Sequence, residues 1–141
     1  IWDTASGWFK PKKSDVESEH IYFKPVKIKK SKRPIVLSEF GGYSCKIKDH
    51  AFNLGKTYGY RYFESVEKFE DAIVSLYENE IIPSFKNGLC VAVLTQVSDV
   101  EDETNGLLTY DRKVLKVDPD RFNKLSQKIY TEFNKHYEKE D

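Results

Sequence analysis

The chain has no methionine and only two cysteines among its 141 residues. Because an initiator methionine is missing and the sequence opens at Ile1-Trp2-Asp3, we expect a fragment, a processed product or a truncated form. Cys45 and Cys90 lie far apart without metal-ligand spacing, which disfavours a disulfide framework or a cysteine-bound metal. Cys90 lies in an apolar run and is predicted to be buried, whereas Cys45 follows a Gly-Gly turn, where a thiol could lie near a site.

Long apolar runs and an excess of charge are missing as well. No stretch approaches the roughly 18 consecutive apolar residues of a membrane-spanning helix. Basic and acidic residues number 23 each, so no overall field favours a nucleic acid or an anionic membrane, and we predict neither as a partner. The lysine-rich segment from Lys24 to Arg33 is interpreted as a solvated connector.

The pattern of apolar residues predicts alternating strands and helices within a single domain, residues 1–141. The predicted elements are strands within residues 14–23, 34–39 and 89–97, and helices over 65–83 and from 118 onward. Such alternation, with buried apolar strands, predicts an α/β fold with a parallel sheet. A complete (β/α)₈ barrel takes about 250 residues and eight strands, so we interpret these elements as the last part of one.

The most informative segment is Pro34-Ile-Val-Leu-Ser-Glu39, in which an apolar β-branched run ends at a carboxylate. Gly41 and Gly42 follow almost at once and leave room beside that carboxylate. A strand that presents an acidic side chain at its C-terminal end is how α/β barrels place catalytic carboxylates. Glu39 is therefore the first candidate for a catalytic residue.

With its flanking segments, this strand resembles the catalytic TIM barrel of glycoside hydrolase family 2, the family of β-galactosidases, β-glucuronidases and β-mannosidases. Residues 15–22 resemble the sixth strand of that barrel, residues 34–41 the seventh, and residues 94–112 the eighth and its exit into the final helix. The resemblance implies that the chain is the C-terminal portion of the barrel, about strands six to eight with the last two helices. It also implies a hydrolase that acts on carbohydrates and needs no cofactor.

The resemblance assigns the reaction to two side chains. Glu39 would be the nucleophile that forms a covalent glycosyl-enzyme, and Tyr22 would hold Glu39 in position.

Four further residues are assigned to substrate binding by the same resemblance. They are His20, Trp8, Gln96 and Asn105. His20 could equally well be a structural histidine, and Trp8 could equally well be part of the core. Gln96 lies near where many relatives carry a tryptophan platform for the sugar.

The resemblance also shows what this chain lacks. Retaining glycosidases need a second carboxyl group as acid/base, and the family supplies it from an Asn-Glu at the end of the fourth strand. Asn79-Glu80 lies late in a predicted helix, which is the wrong place. The acidic segment 99–103 is expected to be an exposed loop or a cation site rather than an acid catalyst. We therefore expect this chain to be inactive alone.

The sequence says less about the sugar that is bound and about the cellular compartment of the protein. Glucuronidases place Asn-x-Lys before the glycine of the turn after the eighth strand, whereas this chain has Glu103-Thr104-Asn105, which favours a neutral, galactoside-like sugar over a uronic acid. The alternatives are a non-catalytic carbohydrate-binding or interaction domain that uses the aromatic loop 43–64, or another acid/base chemistry on a small α/β domain. Open strand edges predict self-association of the isolated piece. Both a cytoplasmic and a secreted parent protein are compatible with the sequence.

Overall fold

The structure is a computed structural model that describes residues 1–4, 7–9 and 12–137. Its strands are β1 (Glu17–Ile21), β2 (Ile35–Gly41), β3 (Tyr43–Ser44), β4 (Arg61–Tyr62) and β5 (Leu89–Thr95). Its α-helices are α1 (Val66–Leu76) and α2 (Pro119–Tyr137). Short helical turns lie at Lys48–His50, Tyr77–Ile81 and Ile82–Asn87. No helix among these residues is long and apolar enough to cross a membrane.

The main sheet has three parallel strands in the order β1-β2-β5. The predicted α/β class with a parallel sheet is confirmed. In the register, His20 lies opposite Glu39, and Gly41 lies opposite Thr95. Because the strands are parallel, their carboxyl ends meet at one edge of the sheet, where Tyr22, Glu39 and Thr95 are found.

The helices cover one face of this sheet. Ile35, Leu37 and Phe40 of β2 and Leu89 of β5 are at most 2% exposed, and they share a core with side chains of the helical segments. Two residues of α2, Ile129 and Phe133, pack against the same core. Side chains alternate between the two faces along each strand, and two register irregularities between β2 and β5 interrupt that alternation. Leu89 and Phe40 therefore share the helical side with Ile35 and Leu37.

The opposite face of the sheet carries Val36 and Ser38 from β2 and Val91 and Val93 from β5. Val91 is 46% and Val93 is 48% exposed. The prediction that β5 is buried is wrong, and so is the prediction for Cys90, which is exposed. The reason is that the helical segments cover only the other face, and that β5 is the outer strand of the sheet among the described residues. Parallel sheets are normally covered on both faces.

Helix α1 begins where the sequence predicts and ends differently. Ser65 is the N-cap, since its hydroxyl accepts a hydrogen bond from the Lys68 N–H. The sequence predicts a helix that continues to Pro83, but α1 ends at Leu76. It passes at Tyr77 into a π-helical turn and then a 3₁₀ turn that includes Pro83 near its start and ends before Gly88, which has φ 99°. Proline is tolerated there because the first residues of a helical turn need no N–H acceptor.

The prediction of a helix that starts at Asp118-Pro119 is confirmed by α2. It begins at Pro119, and the side chain of Asp118 accepts the Asp120 N–H, as a capping residue does. Its apolar residues Phe122, Leu125 and Ile129 face the body of the molecule, with Leu125 buried.

The segment between residues 43 and 64 is largely irregular, as predicted, and a short parallel pairing of β3 with β4 organises it. The Tyr60 N–H donates to the Gly42 carbonyl at 3.0 Å, and the Phe63 N–H donates to the Ser44 carbonyl at 2.8 Å. These bonds bring the end of the segment back beside the carboxyl edge of the main sheet.

Candidate active site

Glu39 and Tyr22 meet at the carboxyl edge of the sheet. The Tyr22 hydroxyl donates a hydrogen bond to Glu39 Oε2 at 2.5 Å and lies 2.9 Å from the Thr95 hydroxyl. Tyr22 follows directly after β1, Glu39 lies in β2 and Thr95 ends β5, so each of the three strands contributes one member. The contact that the sequence predicts between Tyr22 and Glu39 is present in the structure.

The electrostatics keep the Tyr22 phenol protonated. Burial raises the pKa of Tyr22 well above its usual value, and the hydrogen bond to Glu39 raises it further. A phenol that stays neutral at physiological pH remains a hydrogen-bond donor to the carboxylate. Tyr22 can therefore hold and stabilise a charged Glu39 without itself losing a proton.

The two glycines after Glu39 make room for aromatic rings. Gly42 has φ 62°, and a Cβ atom added there would lie 2.2 Å from Tyr60 Cδ2 and 3.0 Å from Tyr22 Cδ1. Gly41 has φ 92°, and its added Cβ would lie 2.7 Å from the Leu94 side chain. Both backbone conformations favour glycine. The space that the sequence predicts beside the carboxylate is thus filled by Tyr60, Tyr22 and Leu94.

His20 is a second neighbour of Glu39, and Trp8 packs against His20. The His20 side chain is 5% exposed, and its Nδ1 lies 3.7 Å from Glu39 Oε2. No described residue hydrogen-bonds that nitrogen. The Trp8 ring packs edge-on against the His20 ring at 5.1 Å, while Trp8 itself remains 65% exposed. The structure thus makes His20 a buried neighbour of the carboxylate, and Trp8 its partly exposed cover.

A cleft of about 530 Å³ opens beside Glu39. Among the predicted site residues, Tyr22, Glu39, Gln96 and Asn105 line it, whereas His20 and Trp8 do not. The Gln96 side-chain amide donates to Asn105 Oδ1 at 2.7 Å and to Glu103 Oε2 at 3.1 Å. The peptide bond before Gln96 is cis.

Two further residues of the cleft were missed by sequence reasoning. Glu103 lies on the wall formed by the loop after β5, and Tyr60 comes from the aromatic segment. Burial raises the pKa of Tyr60 to about 12, with further contributions from a hydrogen bond with Tyr58 and from the carboxylates of Glu103 and Glu39. Neither residue lies in a strand. The one sequence signal was for Glu103, which lies two positions before the predicted site residue Asn105.

A buried ion pair anchors the loop that carries Glu103 and Asn105. Lys116 Nζ lies 2.7 Å from Asp99 Oδ1, and the two side chains are 0% and 1% exposed. Lys116 also donates to the carbonyl oxygens of Cys45 and Thr104, at 2.9 and 3.0 Å. Burial raises the pKa of Asp99 and lowers that of Lys116, and the attraction between the two opposes both shifts.

This ion pair corrects the expectation of an exposed acidic loop or cation site. Asp99 is buried and paired, while Glu101 stays exposed. No group of His, Cys, Asp and Glu in the described part of the chain is arranged to hold a metal ion. Cys45 is buried beside Lys116, and burial raises the pKa of its thiol, so this thiol is not a reactive one.

The carboxylate of Glu80 is used elsewhere, as its position in a helix predicts. Its Oε2 accepts the Val26 N–H at 2.5 Å. It therefore ties the connector after β1 to the helical layer and does not line the cleft beside Glu39.

No protein-family profile and no curated protein sequence matches the chain. The case for a function accordingly rests on the residues and their geometry.

Proposed function

We propose that this chain is the C-terminal part of the catalytic barrel of a retaining β-glycosidase similar to glycoside hydrolase family 2, with Glu39 as the nucleophile. The observation that carries the proposal is the hydrogen bond from Tyr22 to Glu39 Oε2 at the carboxyl edge of a parallel sheet, beside an open cleft. Active sites of (β/α)₈ enzymes lie at this edge.

The exposed face of the sheet supports the barrel. Helices cover the side of Leu37 and Phe40, whereas Val91 and Val93 on the other side are half exposed. In a closed barrel the helices lie outside, and branched residues of the strands fill the interior in layers. The strand order β1-β2-β5 also follows the order along the chain, as it does around a barrel.

The contacts of Glu39 suit a nucleophile. Its Oε2 makes the contacts with Tyr22 and His20, which leaves Oε1 to attack the anomeric carbon. In the first step the carbon–oxygen bond to the leaving group breaks as the bond to Oε1 forms, and an acid protonates the departing oxygen. In the second step water, deprotonated by the same acid/base group, displaces Glu39 and restores the original anomeric configuration.

The acid/base group is proposed to come from outside this chain. Glu103 is the other carboxylate at the described cleft, and it accepts a hydrogen bond from Gln96. A carboxylate held as an acceptor is poorly suited to donate a proton. We therefore expect the isolated chain to be inactive and, because β1 and β5 are the outer strands of the main sheet among the described residues, to self-associate. A compact, stable monomer in sedimentation measurements would contradict the second expectation.

The charge of the cleft supports a neutral sugar as the substrate, galactoside-like as the sequence suggests. Glu39 and Glu103 both line the cleft with the amides of Gln96 and Asn105, and no Lys, Arg or His is among the described residues that line it. Amides and carboxylates bind sugar hydroxyl groups, while a sugar carboxylate would meet two like charges.

The decisive experiment is covalent labelling of the complete protein that contains this chain. A dinitrophenyl 2-deoxy-2-fluoro-β-galactoside has a good leaving group and a slowed second step, so it should trap the glycosyl-enzyme. Mass spectrometry of peptides should then find the fluoro-sugar on Glu39. Absence of any adduct, or an adduct on another carboxylate while Glu39 stays free, would overturn the proposal.

Selectivity against acidic sugars tests the role of Glu103. We expect Glu103→Gln to raise the kcat/KM ratio of a β-glucuronide to a β-galactoside by about tenfold, because one like charge leaves the cleft. Glu101→Gln is the matched control, since Glu101 lies in the same loop and is exposed outside the cleft. An unchanged ratio in both variants would show that Glu103 does not face the sugar.

A second candidate is a non-catalytic carbohydrate-binding domain, which one observation favours. The aromatic segment exposes Phe52, Tyr58 and Tyr62, each more than half exposed. Such rings can stack on sugars. This function predicts sugar affinity that survives Glu39→Gln together with no covalent labelling.

A further inference from the structure

Tyr60 packs directly on the tyrosine that holds the proposed nucleophile. The rings of Tyr60 and Tyr22 are stacked, with centroids 4.1 Å apart and planes 13° from parallel. Phe23 packs edge-on against Tyr60 at 4.6 Å, and Tyr58 does so at 5.9 Å. The Tyr60 ring is therefore held between aromatic neighbours and is not a free platform for a sugar.

The backbone is shaped to place Tyr60 there. Its N–H donates to the Gly42 carbonyl at 3.0 Å, and a Cβ at Gly42 would lie 2.2 Å from the Tyr60 ring. A Cβ at Gly59, the preceding residue, would lie 1.7 Å from the Ser44 hydroxyl. Gly42 thus leaves the space that the Tyr60 ring occupies beside Tyr22, and Gly59 lets the preceding backbone pass close to Ser44.

Tyr22 needs such support because it lies one residue beyond the end of β1. Its hydroxyl is bonded to Glu39 and Thr95, but a phenol can swing about two side-chain torsions unless its ring is packed. Stacked aromatic rings attract each other beyond the area that they bury, so the Tyr60 ring restricts the swing of the Tyr22 ring.

We propose that Tyr60 is a positioning residue for the proposed reaction, acting through Tyr22: its ring fixes the Tyr22 phenol so that the hydroxyl stays on Glu39 Oε2. This inference rests on the proposed function. The ring carries the effect, since Tyr60 keeps its own proton at physiological pH and adds no charge beside the nucleophile.

The test compares variants of the complete protein on an activated aryl β-galactoside. Tyr60→Leu removes the stack, and we expect kcat and the rate of Glu39 labelling to fall about tenfold, with KM changed less than about threefold. Tyr60→Phe keeps the ring and should stay within about threefold of the wild type. Tyr130→Leu is the matched control, because Tyr130 is a tyrosine on α2 that is 67% exposed and does not line the cleft.

A double variant separates positioning from a general structural role. Adding Tyr60→Leu to Tyr22→Phe should cause no further loss of kcat, because the contact that Tyr60 supports is already gone. Losses that multiply would overturn the inference. If Tyr60→Leu does not fold, Tyr60→His with its smaller ring takes its place, and we expect an intermediate loss that Tyr22→Phe again abolishes.

The failures are distinguishable. If the wild-type protein shows no labelling of Glu39, the proposed function fails. If labelling occurs but Tyr60→Leu leaves its rate unchanged, or Tyr60→Phe lowers kcat as much as Tyr60→Leu does, only the role of the Tyr60 ring is overturned.

Discussion

Replacing Glu39 by glutamine in the complete protein should lower kcat for an aryl β-galactoside by about 10⁴-fold or more, the scale seen when a catalytic nucleophile is removed. Glutamine has the same shape and can still accept the hydrogen bond from Tyr22, but an amide oxygen does not form the glycosyl-enzyme. Folding should be unaffected because the side chain is not fully buried. Steady-state kinetics with a sensitive fluorogenic substrate would measure the loss.

Two companion variants sharpen this result. Tyr22→Phe keeps the nucleophile and removes one hydrogen bond to a charged group, so we expect a smaller loss, about 10- to 100-fold.

Glu39→Gly leaves a space in which azide can attack the face of the sugar that the carboxylate used. Azide should restore turnover and give the glycosyl azide of inverted configuration. A Glu39→Gln variant that keeps more than about a hundredth of wild-type kcat would rule out Glu39 as nucleophile.

The largest effect on stability is expected at Lys116. Lys116→Met should lower the free energy of unfolding by about 3–5 kcal/mol, because Asp99 would remain as an unpaired buried charge. The carbonyl oxygens of Cys45 and Thr104 would also lose their donor. Urea unfolding followed by circular dichroism would measure the change.

Lys113→Met is the matched control for this variant. The Lys113 side chain is 75% exposed and approaches Asp111 only at 4.0 Å, so we expect a change of less than about 0.5 kcal/mol. Equal effects of the two variants would show that the Lys116–Asp99 pair does not hold the loop in place.

The part of the site that the sequence predicted is the part encoded locally. An apolar β-branched run that reaches Glu39 predicts a buried strand over residues 34–39 with a carboxylate at its tip. The structure has a strand there, but it continues through Phe40 to Gly41 and is buried on one face only, so Glu39 lies near its carboxyl end and not at the tip. Ser65 and Asp118-Pro119 likewise predict helix starts through capping interactions that involve only a few neighbouring residues. Such signals depend on the backbone within one turn or one strand.

The errors arose where burial depends on distant parts of the chain. The composition of β5 is that of a buried strand, yet Val91 and Val93 are half exposed because nothing among the described residues covers that face. Asp99 stands in an acidic run that is typical of a solvated loop, and it is buried because Lys116 lies 17 positions away in sequence and reaches it. No local sequence pattern predicts a pairing between residues that far apart.

By itself the sequence determined the α/β alternation and a carboxylate near the carboxyl end of β2, since these follow from periodicity and from strand ends. The tyrosine that follows β1 was implied by the resemblance to a family. Only the tertiary structure decided that Tyr22 also reaches Thr95, 73 residues away in sequence, and that Glu103 and Tyr60 face the same cleft. The physical reason is that parallel strands join residues distant in sequence at one edge, and loops then add side chains whose positions depend on glycine conformation and buried charge.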